Sequence, residues 1–160
     1  LSSSSAASDV YKRQEHGLPI LAYISFAEIA AVEYVKNRQN LLLAPLFAAD
    51  RMLTKAGLSL QDFDFYEIHE AFAAQVLATL KIWESPELSK ELGLSKSLGT
   101  IDRNKLNVKG SSLAAAHPFA ATGGRIIGVM AKLLNEKGSG KGFISICAAG
   151  GQGITMILEK

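Results

Sequence analysis

This 160-residue sequence has very little cysteine and a small net charge. Cys147 is its single cysteine, which excludes an internal disulfide and a metal site built from several thiolates. The 17 basic and 15 acidic residues leave a formal net charge of +2 and are spread along the chain, so there is no basic stripe of the kind that binds nucleic-acid phosphates. We therefore expect no nucleic-acid partner, and a reducing compartment such as the cytoplasm or an organelle matrix.

Long apolar runs are absent as well. No stretch approaches the ~18 apolar residues that indicate a membrane-spanning helix, so no membrane span is expected. The sequence does not begin with Met, and its serine-rich start lacks the charged and apolar regions of a secretion signal. We interpret residues 1–14 as a leader foreign to the protein. Residues 15–160 are interpreted as one globular domain, whose length and hydrophobic content suffice for a core.

Hydrophobic periodicity predicts strands that alternate with helices. The predicted strands are 18–27, 62–68, 107–110, 143–147 and 154–158. The predicted helices are 45–56, 70–83 and 119–137, with a surface excursion over 84–106. This β-α-β-α-β-α-β-β order predicts an α/β fold in which a layered, mixed five-stranded sheet is covered by helices and closed by an antiparallel hairpin.

Three reactive side chains lie at junctions between these elements. His69 follows a predicted strand, His117 precedes a predicted helix, and Cys147 ends a predicted strand. In open α/β sheets such junctions gather beyond the carboxyl ends of the strands, where ligands bind. We therefore predict that the three side chains share one pocket. Taken one at a time, a strand cysteine is more often a small buried apolar residue, and a histidine before a helix is more often a cap or a surface group.

Four motifs occur in the order and spacing of a thiolase C-terminal domain: His69-Glu70-Ala71-Phe72-Ala73-Ala74-Gln75, Asn107-Val108-Lys109-Gly110, His117-Pro118-Phe119-Ala120-Ala121-Thr122-Gly123 and Cys147-Ala148-Ala149-Gly150-Gly151. Residues 15–160 therefore resemble the C-terminal half of the thiolase family. The resemblance implies an acyltransferase of fatty-acid β-oxidation, which cleaves 3-ketoacyl-CoA with coenzyme A or runs the reverse Claisen condensation. In that family the acylated cysteine lies in an N-terminal half, so this fragment alone is predicted to be inactive.

The resemblance also implies a role for each candidate residue. His117 would activate the nucleophilic thiol of the missing half and help bind the thioester oxygen, and Cys147 would move protons to and from coenzyme A or the acetyl α-carbon. His69 stands where many thiolases have an asparagine that positions a water in the oxyanion hole. Its His-Glu-Ala-Phe form is similar to the β subunit of the trifunctional complex.

The implied partners follow from the same resemblance. Coenzyme A and acyl-CoA would be substrates, with no cofactor and no metal, and no residue is assigned to the nucleotide of coenzyme A. The resemblance further implies a homodimer or larger oligomer and a hydratase/dehydrogenase α subunit as partner.

Two positions depart from the family's usual pattern. Ala116 replaces a glycine before His117, and Ser111 replaces the second glycine of a pair. A positive φ at either position would impose strain of about 1 kcal/mol or more. Three alternatives stay open: a ketoacyl synthase, which would need histidine in place of Cys147; a noncatalytic acyl-CoA or lipid-binding module of the same superfamily; and a purely structural domain that binds no acyl-CoA.

Overall fold

A mixed four-stranded sheet forms the centre of the computed structural model, which describes residues 11–36 and 40–160. Its strands are β1 (Tyr23–Ala31), β2 (Phe65–Ile68), β3 (Lys141–Ala148) and β4 (Gln152–Glu159), in the spatial order β1-β4-β3-β2. β4 pairs antiparallel with both β1 and β3, whereas β2 runs parallel to β3. The predicted α/β fold with a mixed sheet and a closing hairpin is confirmed.

The predicted fifth strand, 107–110, is wrong. Leu106 forms a single parallel bridge to Tyr66, and there the pairing ends. Asn107 has φ 49° and Gly110 has φ 78°, so the backbone leaves the extended conformation that a strand needs. The first strand also differs from the predicted 18–27, because β1 begins at Tyr23, which lies opposite Glu159 at the end of its partner β4.

Five helices accompany the sheet in the described residues: α1 (Ala44–Ala56), α2 (Ala73–Glu84), α3 (Pro86–Glu91), α4 (Ser112–Ala115) and α5 (Thr122–Lys137). Residues 11–15 are also helical, while residues 1–10 of the leader assigned from the sequence lie outside the described residues. Single 3₁₀ turns occur at Leu60–Asp62 and Arg103–Lys105. No helix in the described ranges is both long and apolar enough to cross a membrane.

The predicted helix ends are more accurate than the predicted helix starts. α1 ends at Gly57 (φ 66°) and α5 at Gly138 (φ 88°), both in the left-handed conformation that glycine adopts without strain. α2 begins at Ala73 instead of Glu70, because Phe72 is extended and tertiary hydrogen bonds hold the Glu70 carboxylate. α5 begins at Thr122 instead of 119, because a positive φ of 65° at Ala120 interrupts the helix.

The sheet has two differently packed faces. Phe143 and Ile144 are neighbours on β3, and since side chains alternate along a strand they belong to different clusters. We call the face that contains Phe143 the aromatic face; it lies under α1 and α2 and also contains Phe63, Tyr66 and Trp83. We call the face that contains Ile144 the α5 face; it also contains Ile126, Met130, Leu134 and Leu158. The parallel strands β2 and β3 end at one edge between these faces, which we call the carboxyl edge.

Candidate active site

His69 lies directly after β2 at the carboxyl edge and is 1% exposed. Its backbone N–H donates to the carbonyl of Ser145 at 2.8 Å, which extends the pairing of β2 with β3 by one residue. Its Nδ1 lies 2.7 Å from Oγ of Ser112. Burial, reinforced by the nearby His117 ring and the Arg125 guanidinium, lowers the pKa of His69 from 6.5 to about 4. The imidazole is therefore neutral at neutral pH.

His117 forms a pair with His69. The two ring centroids are 4.3 Å apart, with the ring planes inclined at 51°. Nδ1 of His117 hydrogen-bonds with Oγ1 of Thr122, the first residue of α5, and the Phe119 ring packs edge-on at 5.3 Å. The structure thus brings together two of the three residues singled out from the sequence.

Asn107 and Glu70 hold the segment around His69. Oδ1 of Asn107 accepts from the N–H of Ile68 at 2.8 Å, and its Nδ2 donates to the carbonyl of Ile68 and to Oε1 of Glu70. Oε2 of Glu70 accepts from the N–H of Leu113 at 3.0 Å. These bonds fix the residues on both sides of His69. Asn107 makes them with a backbone of positive φ, which is incompatible with the predicted strand 107–110.

Cys147 occupies the carboxyl edge on the side of α1. Its cross-strand partner is Gly153, and a Cβ built on Gly153 would lie 2.5 Å from Cδ of Pro45, so this pair faces the first turn of α1. Burial raises the pKa of the Cys147 thiol to about 11, which keeps it protonated at neutral pH. Within residues 11–36 and 40–160, no hydrogen bond joins its sulfur to either histidine. A pocket shared by all three residues stays a prediction.

Glu67 and Arg125 are two charged residues, one buried and one half-buried, to which the sequence analysis gave no role. Glu67 is fully buried on β2, and neither carboxylate oxygen has a hydrogen-bond partner among the described residues. Burial raises the pKa of Glu67 to about 7, and the positive charge of Arg125 opposes this increase. Arg125 donates through Nη2 to Oγ of Ser112 at 3.0 Å and of Ser111 at 3.4 Å, while its buried Nε has no partner within residues 11–36 and 40–160. An acidic residue inside a predicted strand was the sequence signal for Glu67.

The family model described as "Thiolase, C-terminal domain" matches residues 18–160. The chain belongs to the thiolase family. Its curated relatives include the 3-ketoacyl-CoA thiolases of Alteromonas mediterranea, 44% identical over 149 residues, and Yersinia pestis, 43% identical over 149 residues. Each match covers 92% of this chain and 34% of the relative, so the chain spans about a third of the length of these relatives.

Two solved structures resemble this thiolase domain. The acetyl-CoA acetyltransferase of Bacillus anthracis superimposes with a TM-score of 0.68 at 36% identity, over 93% of this chain and 33% of that one. The Acat5 thiolase of Ascaris suum, solved in complex with coenzyme A, gives a TM-score of 0.67 at 29% identity, over 92% and 33% of the two chains. The sequence resemblance and the α/β architecture are thereby confirmed together.

Ala116 is the strained departure of this thiolase domain from the family pattern. Its φ of 65° and ψ of 177° fall in a region that is essentially restricted to glycine, at a cost of about 1–3 kcal/mol. Ser111 has φ −130°, so it lacks the positive φ that would strain a serine. The strain predicted from the sequence therefore exists at Ala116, directly before His117, and not at Ser111.

Proposed function

We propose that this thiolase domain is the C-terminal part of an acyltransferase that cleaves 3-ketoacyl-CoA with coenzyme A, or runs the reverse Claisen condensation, in fatty-acid β-oxidation. The paired rings of His69 and His117 at the carboxyl edge are the observation that carries this proposal. The relatives named 3-ketoacyl-CoA thiolase support the substrate class, and the related structure in complex with coenzyme A supports the choice of thiol.

In this reaction His117 takes the proton of a cysteine thiol supplied by the N-terminal half of the enzyme. The thiolate attacks the 3-keto carbon, the bond between C2 and C3 breaks, and the enolate of acetyl-CoA leaves. Cys147 gives its proton to that enolate and regains one from coenzyme A. The coenzyme A thiolate then attacks the acyl-cysteine, releases the shortened acyl-CoA and restores the first cysteine, which recovers its proton from His117.

The raised pKa of Cys147 fits the first half of this cycle, because a protonated thiol is ready to donate to an enolate. Its return as a base requires a more electropositive surrounding than this chain provides, since burial alone disfavours the thiolate. We propose that the N-terminal half and the bound substrate complete that surrounding.

His69 supports a narrower assignment. Its His-Glu-Ala-Phe segment is similar to the β subunit of the trifunctional complex, so we propose 3-ketoacyl-CoA of longer chain length as substrate and a hydratase/dehydrogenase α subunit as partner. A homodimer or larger oligomer in a reducing compartment completes the proposal.

Thiolysis assays of the complete enzyme and of this chain alone test the function. With the N-terminal half present, we expect His117→Ala and Cys147→Ser each to lower kcat by about 10² or more, as the loss of a positioned acid–base group does. The isolated chain should give no thiolysis, because no acyl-cysteine can form. Turnover by the isolated chain would contradict the proposal. Acyl-CoA binding without thiolysis in the complete protein would favour the noncatalytic binding module instead.

A further inference from the structure

Behind His69 lies a hydrogen-bonded chain that runs from Arg125 through Ser112. Nη2 of Arg125 lies 3.0 Å from Oγ of Ser112, and Oγ lies 2.7 Å from Nδ1 of His69. A guanidinium has N–H donors and no acceptor, so Ser112 must accept in the first of these bonds. The direction of the second bond follows from the single hydroxyl proton of the serine.

The hydroxyl proton of Ser112 has Nδ1 of His69 as its acceptor. Among the described residues, no other acceptor forms a hydrogen bond with this hydroxyl. If Nδ1 carried the ring proton, both neighbours would donate to Oγ and the hydroxyl proton would be left unpaired. Ser112 is 5% exposed, so an unpaired proton there would cost about 1–3 kcal/mol. Nδ1 therefore accepts, and the proton of the neutral ring is on Nε2.

The partner ring is not part of this chain of hydrogen bonds. Nδ1 of His117 hydrogen-bonds with Oγ1 of Thr122, and the carbonyl of Pro118 lies 3.4 Å from the same Oγ1. The contact to Pro118 is longer than an ordinary O–H···O bond, so the threonine hydroxyl can donate to Nδ1 or accept from it. The tautomer set by Ser112 therefore concerns His69 alone.

We infer that Ser112 and Arg125 are positioning residues that hold His69 as a neutral Nε2–H donor toward the oxyanion of the thioester. A histidine held in this way donates a hydrogen bond as an asparagine amide does. The oxyanion part of this inference rests on the proposed function, whereas the tautomer of His69 rests on the hydrogen-bond geometry alone. The neutral state is consistent with the lowered pKa of His69.

Imidazole nitrogen NMR of the 160-residue chain labelled with ¹⁵N-histidine tests the tautomers directly. The chain contains three histidines, so His69→Gln and His117→Gln are sufficient to assign the spectrum. We expect the proton of the His69 ring on Nε2. A proton on Nδ1 of His69 in the unsubstituted chain would overturn the inference without any further variant.

Variants of the two neighbouring serines separate positioning from general stability. Ser112→Ala should convert His69 to a mixture of tautomers, and Ser112→Thr, which keeps a hydroxyl, should restore the Nε2–H form. Ser111→Ala is the matched control, since Ser111 also accepts from Arg125 and is also buried, but among the described residues its hydroxyl forms no hydrogen bond with His69. An unchanged His69 spectrum in folded Ser112→Ala, judged by far-UV circular dichroism, would contradict the inference.

Kinetics of the complete enzyme test the oxyanion part separately. Ser112→Ala should lower kcat for thiolysis by about tenfold or more while KM changes little, because a donor to the oxyanion acts mainly in the transition state. Ser112→Thr should recover most of kcat. If the predicted tautomer of His69 is present but the unsubstituted enzyme performs no thiolysis, the proposed function fails and the positioning role of Ser112 stands. Unchanged kcat in Ser112→Ala would remove the oxyanion role.

Discussion

The aromatic face and the α5 face of the sheet differ in the polarity of the side chains that they bury. On the aromatic face, the ring of Phe143 packs against those of Phe63, Tyr66 and Trp83 at centroid distances of 5.4–6.3 Å. On the α5 face, the aliphatic cluster includes Ile144, the cross-strand partner of Glu67, whose buried carboxylate has no hydrogen-bond partner in the described part of the chain. Buried polar groups without partners lower stability. The comparison teaches that one face provides the stability that lets the other keep polar groups for chemistry.

The largest effect should come from removing a ring on the aromatic face. Phe143 is fully buried, so Phe143→Ala should lower the free energy of unfolding by about 3–5 kcal/mol through lost apolar burial and a residual cavity. Urea denaturation followed by far-UV circular dichroism measures it. The matched control is Phe119→Ala at a ring that is 88% exposed, where a change below about 0.5 kcal/mol is expected. Equal effects would show that the aromatic face is not the main source of stability.

Glu67 and His69 should make opposing contributions to the pH dependence of the free energy of unfolding. The pKa of Glu67 is raised from 4.5 to about 7, so its stabilising contribution is complete below pH 4.5 and is lost as pH rises towards 7. The pKa of His69 is lowered from 6.5 to about 4, so its contribution is complete above pH 6.5 and is lost as pH falls towards 4. In the unsubstituted chain these two contributions largely cancel between pH 4.5 and 6.5.

Single substitutions should separate the two contributions. Glu67→Gln leaves the histidine contribution, so the free energy of unfolding should rise by up to about 3 kcal/mol from pH 4.5 to 6.5. His69→Gln leaves the glutamate contribution and should give a decrease of similar size over the same interval. Urea denaturation at both pH values provides the measurement. The prediction fails if both variants keep the pH dependence of the unsubstituted chain.

A smaller effect of opposite sign is expected beside His117. Ala116→Gly removes the strain of a positive φ and should stabilise the chain by about 1 kcal/mol, after the larger conformational entropy of glycine in the unfolded chain is included. Ala115→Gly, one residue earlier in α4, has no such strain to relieve and should destabilise by about 0.5–1 kcal/mol. Thermal unfolding of both variants checks the signs. A destabilised Ala116→Gly would show that Ala116 is unstrained.

Local signals account for most of the fold that could be predicted. Gly57 and Gly138 end α1 and α5 as predicted, because glycine can adopt the left-handed conformation without strain. The wrong strand at 107–110 and the displaced start of α2 share one cause. Asn107 and Glu70 hydrogen-bond with each other across 37 residues of sequence, and such a bond overrides local preference.

The residues of the candidate site were also predicted only in part from the sequence. The sequence singled out His69 and His117, and the structure places their rings in contact. Ser112 and Arg125 were missed because their role depends on a hydrogen bond to a ring that is 43 residues away from Ser112. Periodicity along the chain contains no information about such a contact.

The amino-acid sequence by itself determined the α/β class, the membership in the thiolase family and the chemical types of the site residues, because short-range patterns and motifs encode them. Only the tertiary structure decided that Cys147 lies on the α1 side of the carboxyl edge, that Ala116 is strained, and that Oγ of Ser112 hydrogen-bonds with Nδ1 of His69. Those properties depend on distances between segments far apart in the chain, and the packing of the whole sheet fixes these distances.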